Sequence, residues 1–81
     1  YVILSKEITL AEVNINNPKF FNKTLDELDF RNRYNVNVII IVSKDDEVNQ
    51  MPQANDVIQP HDKITVVGQL KDIRKLNDIV S

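Results

Sequence analysis

The sequence predicts a small α+β domain with a mixed or antiparallel β-sheet, one short internal helix and an amphipathic C-terminal helix. Ile and Val number ten each, against six Leu and two Ala, and β-branched residues favour strands. The uninterrupted apolar run from Val38 to Val42 is typical of a buried strand. The segment from Leu70 to Val80 places apolar residues at helical spacing.

Composition limits the kinds of protein that this chain can be. Its 81 residues predict one domain over 1–81. The absence of Cys excludes a disulfide framework, and a net charge of −2 argues against a partner that is a nucleic-acid polymer. The longest apolar run is far too short to span a membrane. Because the sequence starts at Tyr1 without Met or a signal peptide, we expect a piece of a longer protein.

The first half of the chain predicts a strand followed by a short helix. Residues Ile8 to Ile15 form the strand, and their apolar phase shifts after Leu10, which predicts either a bulge or two partly covered faces. A turn follows at 16–18, with Phe20 and Phe21 anchoring the loop. Thr24 to Glu27 is a capping-box pattern, so a helix from Leu25 should bury Leu28.

The second half predicts most of the sheet. Residues 29–34 are irregular or one more helical turn, ended by a left-handed Asn35. A strand over 36–42, covered on both faces, pairs through a charged tip at 44–47 with a strand over 47–50, which ends at Met51 and Pro52. A strand over 63–67 stops at Gly68. With one Gly and ten Asn, the turns are expected to use Asn and Asp.

The residues give little support to catalysis or metal binding. His61, the sole His, lies in a predicted turn beside Asp62 with no nucleophile or third ligand nearby in sequence. The acidic tip Asp45-Asp46-Glu47 lacks the spacing of a calcium loop, and one Gly cannot build a phosphate loop. We predict neither an enzyme nor a metal site.

One polar segment is unusual: residues 29–37 place two Arg and three Asn between the short helix and the central strand. The segment is either a solvated connector or a polar cluster beside an apolar surface. Arg forks suit phosphate, and Asn amides match the adenine edge.

The order of these motifs resembles the C-terminal domain of RCK proteins, also called the TrkA-C domain. The resemblance covers most of the chain and is carried by residues 8–13, 22–28, 29–34, 36–41, Pro52, 56–58 and 61–68. Asn35 and His61 stand where the family often has Gly.

The resemblance implies a regulatory domain of a cytosolic gating subunit of a Ktr-type potassium-uptake protein or a related cation/proton antiporter. Such domains dimerise, act on a membrane transport subunit through the rest of the parent chain, and lie in the cytoplasm at the inner face of the membrane. In Ktr-type proteins the dimer cleft binds cyclic di-AMP, which inhibits potassium import. The alternative is a dimerisation module without a small ligand.

On this resemblance, the ligand site is expected to combine cationic, polar and apolar residues. Arg31 of each subunit would contact one phosphate, and it is preferred over Arg33 because the family motif has its basic residue there. Asn37 and Asp29 would bind the adenine edge. The apolar slot would be formed by Leu25, Leu28, Val38, Met51 and Pro52. Alternatively, Arg31 pairs with a surface carboxylate, Asn37 caps a strand, and Leu25, Leu28 and Val38 are core or dimer contacts.

Overall fold

The computed structural model describes residues 2–81 and shows the predicted α+β architecture. Tyr1, the expected cut point, lies outside these residues. The strands are β1 (Val2–Ile3), β2 (Thr9–Asn14), β3 (Lys23–Thr24), β4 (Asn37–Val42), β5 (Val48–Asn49), β6 (Val57–Ile58) and β7 (Lys63–Gly68). The helices are α1 (Leu25–Leu28), α2 (Phe30–Tyr34) and α3 (Leu70–Val80), with a 3-10 turn at Pro18–Phe20.

Strand β7 lies at the centre of an antiparallel five-stranded sheet with the order β1-β2-β7-β4-β5. Its residues Ile64 and Val66 are fully buried. Helix α3 contacts β2 and β7 and buries Ile73, Leu76 and Val80. The core therefore lies between α3 and the middle of the sheet, as the helical spacing of the last segment predicts.

Strand β2 contains no bulge. Its pairing with β7 runs without interruption from Thr9 opposite Gly68 to Asn14 opposite Lys63. Ala11 and Val13 are buried. Leu10 is half-buried on the other face, where it pairs with Val2 of β1 and Val67 of β7. The phase shift in the sequence therefore reflects partial cover of both faces.

The irregularity lies in β4 instead, where the pairing with β7 shifts between Val38 and Ile40. Ile41 is buried, but Ile39 at the shift is 38% exposed and Val38 is half-buried. The sequence predicts that both faces of this strand are buried, but within a single chain they are only partly buried.

The turns of the described chain use polar residues in the left-handed region, as the composition predicts. These residues are Asn22, Asp29, Asn35, Asp46 and His61, with φ values of 61°, 49°, 57°, 64° and 65°. Asn35 ends α2, as predicted. The left-handed φ of Asn35 and His61 is one that Gly adopts without strain, in keeping with the Gly that the resemblance implies for these positions.

The predicted capping box begins α1. Thr24 Oγ1 accepts from the Glu27 backbone N–H at 3.1 Å, and Glu27 Oε1 accepts from the Thr24 backbone N–H at 3.1 Å. Asp29 ends α1 and α2 follows at once, so the segment over 29–34 contains a second short helix. The rings of Phe20, Phe30 and Tyr34 lie with centroids 5.7–6.2 Å apart and hold α2 against the core.

A second, two-stranded ladder joins β3 to β6, with Lys23 opposite Ile58 and Thr24 opposite Val57. This ladder places the start of α1 beside the loop that leads into β6. Among residues 2–81, no helix is both long enough and apolar enough to cross a membrane.

Replacing Thr24 by Ala is expected to lower the free energy of unfolding by about 1 kcal/mol, because the Glu27 backbone N–H at the start of α1 loses its acceptor. Denaturant unfolding measures the change. Thr24→Ser keeps the hydroxyl and should retain most of the stability, so equal losses in both variants would contradict a capping role.

Candidate functional site

A groove lies beside α1, α2 and the start of β4. Its volume is about 650 Å³. It is lined by Leu25, Asp26, Asp29, Phe30, Arg31, Asn32, Val36, Asn37, Val38, Ile39 and Ala54. Five of the eight residues predicted for the ligand site line this groove, namely Leu25, Asp29, Arg31, Asn37 and Val38.

Arg31 and Asn37 meet at the mouth of the groove. Arg31 Nε donates a hydrogen bond of 3.1 Å to Asn37 Oδ1, across six residues of sequence. Both side chains are exposed. The partner of Nε is therefore an amide rather than the surface carboxylate considered as an alternative, and the other guanidinium nitrogens keep the fork geometry that suits phosphate.

Asp29 and Asn32 form a second polar pair on the groove wall. Asn32 Nδ2 donates to both Asp29 carboxylate oxygens, at 3.0 and 3.2 Å. Asp29 is half-buried, whereas Asn32 is exposed. A carboxylate has about four acceptor positions, so Asp29 keeps capacity for a further donor.

Both buried core residues and half-buried residues form the apolar lining of the groove. Phe30 and Val36 are 4% and 1% exposed and form its floor, whereas Leu25 and Val38 are half-buried. Leu25 and Val38 also pack against the core, which is one of the alternatives that the sequence leaves open for them.

The structure places the remaining predicted residues elsewhere in the single chain. Leu28 is 6% exposed, belongs to the core and faces a different groove. Met51 is 76% exposed and Pro52 half-buried, both in the loop before β6 and outside the lining of the groove. Arg33 faces the same second groove as Leu28, so Arg31 and Arg33 lie on different surfaces.

Sequence reasoning did not name several lining residues as ligand-site residues, notably Asn32 and Ala54. Asn32 lies three residues after Asp29, the helical spacing at which an amide reaches a carboxylate, so its pairing was readable from the sequence. Ala54 reaches the groove because its carbonyl accepts from the Asp26 backbone N–H at 2.9 Å, a contact across 28 residues with no local signal.

Two carboxylates outside the lining of the groove, Glu27 and Asp56, have a lowered pKa. Hydrogen bonds from the backbone and side chain of Thr24 lower the pKa of Glu27 below its usual value. A backbone hydrogen bond from Gln53 and a side-chain bond from Asn49 lower the pKa of Asp56. Hydrogen bonds to the charged form are the cause in both cases.

A buried carboxyl lies away from the groove, in the turn before β7. Asp62 is 3% exposed; its Oδ2 accepts from the Gln59 backbone N–H at 2.8 Å, and its Oδ1 has no partner among the described residues. Burial raises the pKa of Asp62, against the lowering effect of the Gln59 bond. The Nδ1 atom of neighbouring His61 lies 2.9 Å from the Oδ1 atom of Asn16, which belongs to the separate turn predicted at 16–18.

Fold and groove together define a small α+β domain with an open surface groove of mixed polar and apolar lining. The family model of the TrkA-C domain matches residues 10–81. The chain belongs to this family, which confirms the resemblance drawn from the sequence.

Two relatives show where such domains occur. The chain is 35% identical over 75 residues to the Ktr system potassium uptake protein C of Bacillus subtilis, covering 93% of this chain and 33% of the relative. It is 36% identical over 58 residues to the K⁺/H⁺ antiporter subunit KhtT of the same organism, covering 72% of this chain and 35% of the relative. The chain thus spans about a third of these relatives.

Two solved structures share the fold. The RCK C domain of the potassium transport protein KtrA, in complex with cyclic diadenosine monophosphate, has a TM-score of 0.82 at 22% identity and covers 95% of this chain and 88% of that one. The RCK_C domain dimer of BusR from S. agalactiae, also in complex with c-di-AMP, has a TM-score of 0.77 at 17% identity, covering 85% and 91%. At these identities, the two structures show that this chain has the fold of RCK C domains.

The raised pKa of Asp62 predicts that the free energy of unfolding depends on pH. Since the folded state binds the Asp62 proton more tightly than the unfolded state, this carboxyl favours folding at low pH, and that contribution is lost as pH rises through its folded pKa. Asp62→Asn keeps an oxygen for the Gln59 N–H and does not titrate. The stability of Asp62→Asn relative to the unaltered chain should rise from pH 4 to pH 7, measured by denaturant unfolding. A difference that does not change with pH would contradict this account.

Proposed function

We propose that residues 1–81 form a regulatory domain of a cytosolic potassium-transport gating subunit and bind cyclic di-AMP at a dimer interface to inhibit potassium uptake. The membrane transport subunit is reached through the rest of the parent chain. The observation that carries the proposal is the Arg31–Asn37 pair at the mouth of a groove with apolar walls.

The chemistry of the groove matches each part of this ligand. The Arg31 guanidinium suits a phosphate, and Leu25 and Val38 suit the face of an adenine ring. The Asn37 amide and the Asp29 carboxylate suit the adenine edge, which carries both donors and acceptors.

Symmetry supports a dimeric site. Cyclic di-AMP carries two phosphates and two adenines, and a two-fold axis presents the same surface twice. One Arg31 from each protomer then meets one phosphate. Ile39 is 38% exposed and lies on the groove wall, so the incompletely covered β4 is the surface we assign to the partner protomer.

The similar structures give independent support. The RCK C domain of KtrA and the RCK_C dimer of BusR are both in complex with c-di-AMP, and both share the fold of this chain. Met51 and Pro52, which lie outside the groove of one chain, are proposed to complete the apolar slot in the dimer.

The second candidate is a dimerisation module without a small ligand. Exposed apolar side chains favour it, since Ile39, Val48 and Val57 are 38%, 57% and 40% exposed on β4 and the two short strands β5 and β6. Apolar surface of this kind is typical of an interface.

Cyclic di-AMP is expected to raise the Tm of the domain. A ligand at about 100 times its Kd stabilises the folded state by about 2.7 kcal/mol, which corresponds to roughly 10 °C or more in a domain of this size. Arg31→Ala should lose most of this shift and remain dimeric, because it removes the phosphate partner and not the apolar walls. Differential scanning fluorimetry with calorimetry measures both effects.

Arg33→Ala is the matched control, because it removes the same charge from a different groove. It should bind as the unaltered chain does. No shift at high micromolar ligand in the unaltered chain would refute the proposed ligand and leave the dimerisation module. Unchanged binding by Arg31→Ala would refute the phosphate contact alone.

Ile39→Lys is expected to weaken the dimer at least tenfold, since it places a charge in the proposed interface and an unpaired buried charge costs more than the 1.4 kcal/mol that a factor of ten requires. Sedimentation at several concentrations measures the dissociation constant. Ile79→Lys, on the exposed side of α3 at 43% exposure, is the control and should leave the dimer unchanged. A dimer insensitive to Ile39→Lys would place the interface elsewhere.

A further inference from the structure

The loop over residues 49–56, here called the Asp56 loop, is closed by one carboxylate. Asp56 Oδ2 accepts a 2.8 Å hydrogen bond from the Gln53 backbone N–H and another of 2.8 Å from Asn49 Nδ2. The Asp56 backbone N–H donates in return to the Gln53 carbonyl at 3.0 Å. The side chain thus joins the end of β5 to the residue before β6.

The tip of the Asp56 loop is ordered although it is exposed. The Met51 backbone N–H donates to Asn49 Oδ1, and Gln53 Nε2 donates to the Met51 carbonyl, both at 3.2 Å. Met51 nevertheless remains 76% exposed. Hydrogen bonds, rather than burial, therefore hold the backbone of residue 51 in place, which is the arrangement expected of a preorganised loop.

The same loop is attached to the wall of the groove. The Leu25 backbone N–H donates to the Asp56 carbonyl at 3.0 Å, and the Asp26 backbone N–H donates to the Ala54 carbonyl at 2.9 Å. Leu25, Asp26 and Ala54 all line the groove. The geometry of this wall therefore depends on the conformation of the loop.

We infer that Asp56 is a positioning residue of the groove: through Gln53 and Asn49 its carboxylate holds the Asp56 loop against the first residues of α1. The identity of the ligand rests on the proposed function, whereas the positioning rests on the hydrogen bonds above. Asp56 need not touch the ligand. It removes the conformational cost of ordering the loop when the ligand binds.

The test compares Asp56→Ala with Asp56→Asn in cyclic di-AMP titrations by calorimetry. Asp56→Ala removes both acceptor contacts, and we expect its Kd to rise by about tenfold, the factor that corresponds to the loss of one to two hydrogen bonds. Asp56→Asn keeps an oxygen for Gln53 and Asn49, so its Kd should stay within about threefold of the unaltered chain. Asp45→Ala, an equal change at the exposed β4–β5 tip, is the control.

If Asp56→Ala fails to fold, a milder variant still tests the inference. Asn49→Ala removes one of the two bonds to Asp56 Oδ2, together with the bond from the Met51 backbone N–H, and should weaken binding by a few fold, with the dimer retained. Binding as tight as the unaltered chain in both Asp56→Ala and Asn49→Ala would overturn the positioning role. Equal weakening in Asp56→Ala and Asp56→Asn would overturn it as well.

Amide hydrogen exchange separates this inference from the proposed function, because it needs no ligand. Asp56→Ala should accelerate exchange at the Gln53, Leu25 and Asp26 amides, and Asp56→Asn should restore protection. If cyclic di-AMP does not bind the unaltered chain, the proposed function fails. The exchange rates alone then decide whether Asp56 holds the loop. Unchanged exchange at these three amides would overturn the role of Asp56.

Discussion

The placement of Arg31 depends on a helix of only five residues that is held between two left-handed residues. Asp29 and Asn35 adopt φ values of 49° and 57°, and the Asn35 backbone N–H bonds back to the carbonyls of Arg31 and Phe30. A helix this short is not stable on its own propensity. The rings of Phe20, Phe30 and Tyr34 supply the packing that keeps it, so the direction of Arg31 is set by tertiary contacts.

The meeting of Arg31 with Asn37 also depends on how tightly the chain turns from α2 into β4. A Cβ atom at Gly68 would lie 3.0 Å from Val36 Cγ1 and 3.1 Å from the Asn35 carbonyl oxygen. The lone glycine of the sequence therefore lets this turn pass close to β7. Asn37 then pairs opposite Val67 at the start of β4, within reach of the Arg31 guanidinium.

Features that depend on neighbours in the sequence were predictable from it, and features that depend on distant contacts were not. The capping box at Thr24, the left-handed Asn35 and the span of α3 are set within a few residues. The irregularity at Ile39 depends on β7, which begins 24 residues later at Lys63, and the sequence signal for a bulge pointed to β2 instead. The position of Ala54 on the groove depends on a backbone bond to Asp26. Neither contact leaves a local pattern.

The charge pattern of the groove favours a ligand that is both an anion and a hydrogen-bond donor. Asp29 and Arg31 both line the groove, two residues apart in the sequence, and a carboxylate beside a phosphate site costs affinity for a simple anion. Asn32 donates to both oxygens of the Asp29 carboxylate, but these oxygens can still accept a further hydrogen bond. In the proposed complex, the amino group of an adenine can donate to that remaining capacity. On the proposed function, Asp29 therefore offers an acceptor to the base while its charge opposes the nearby phosphate.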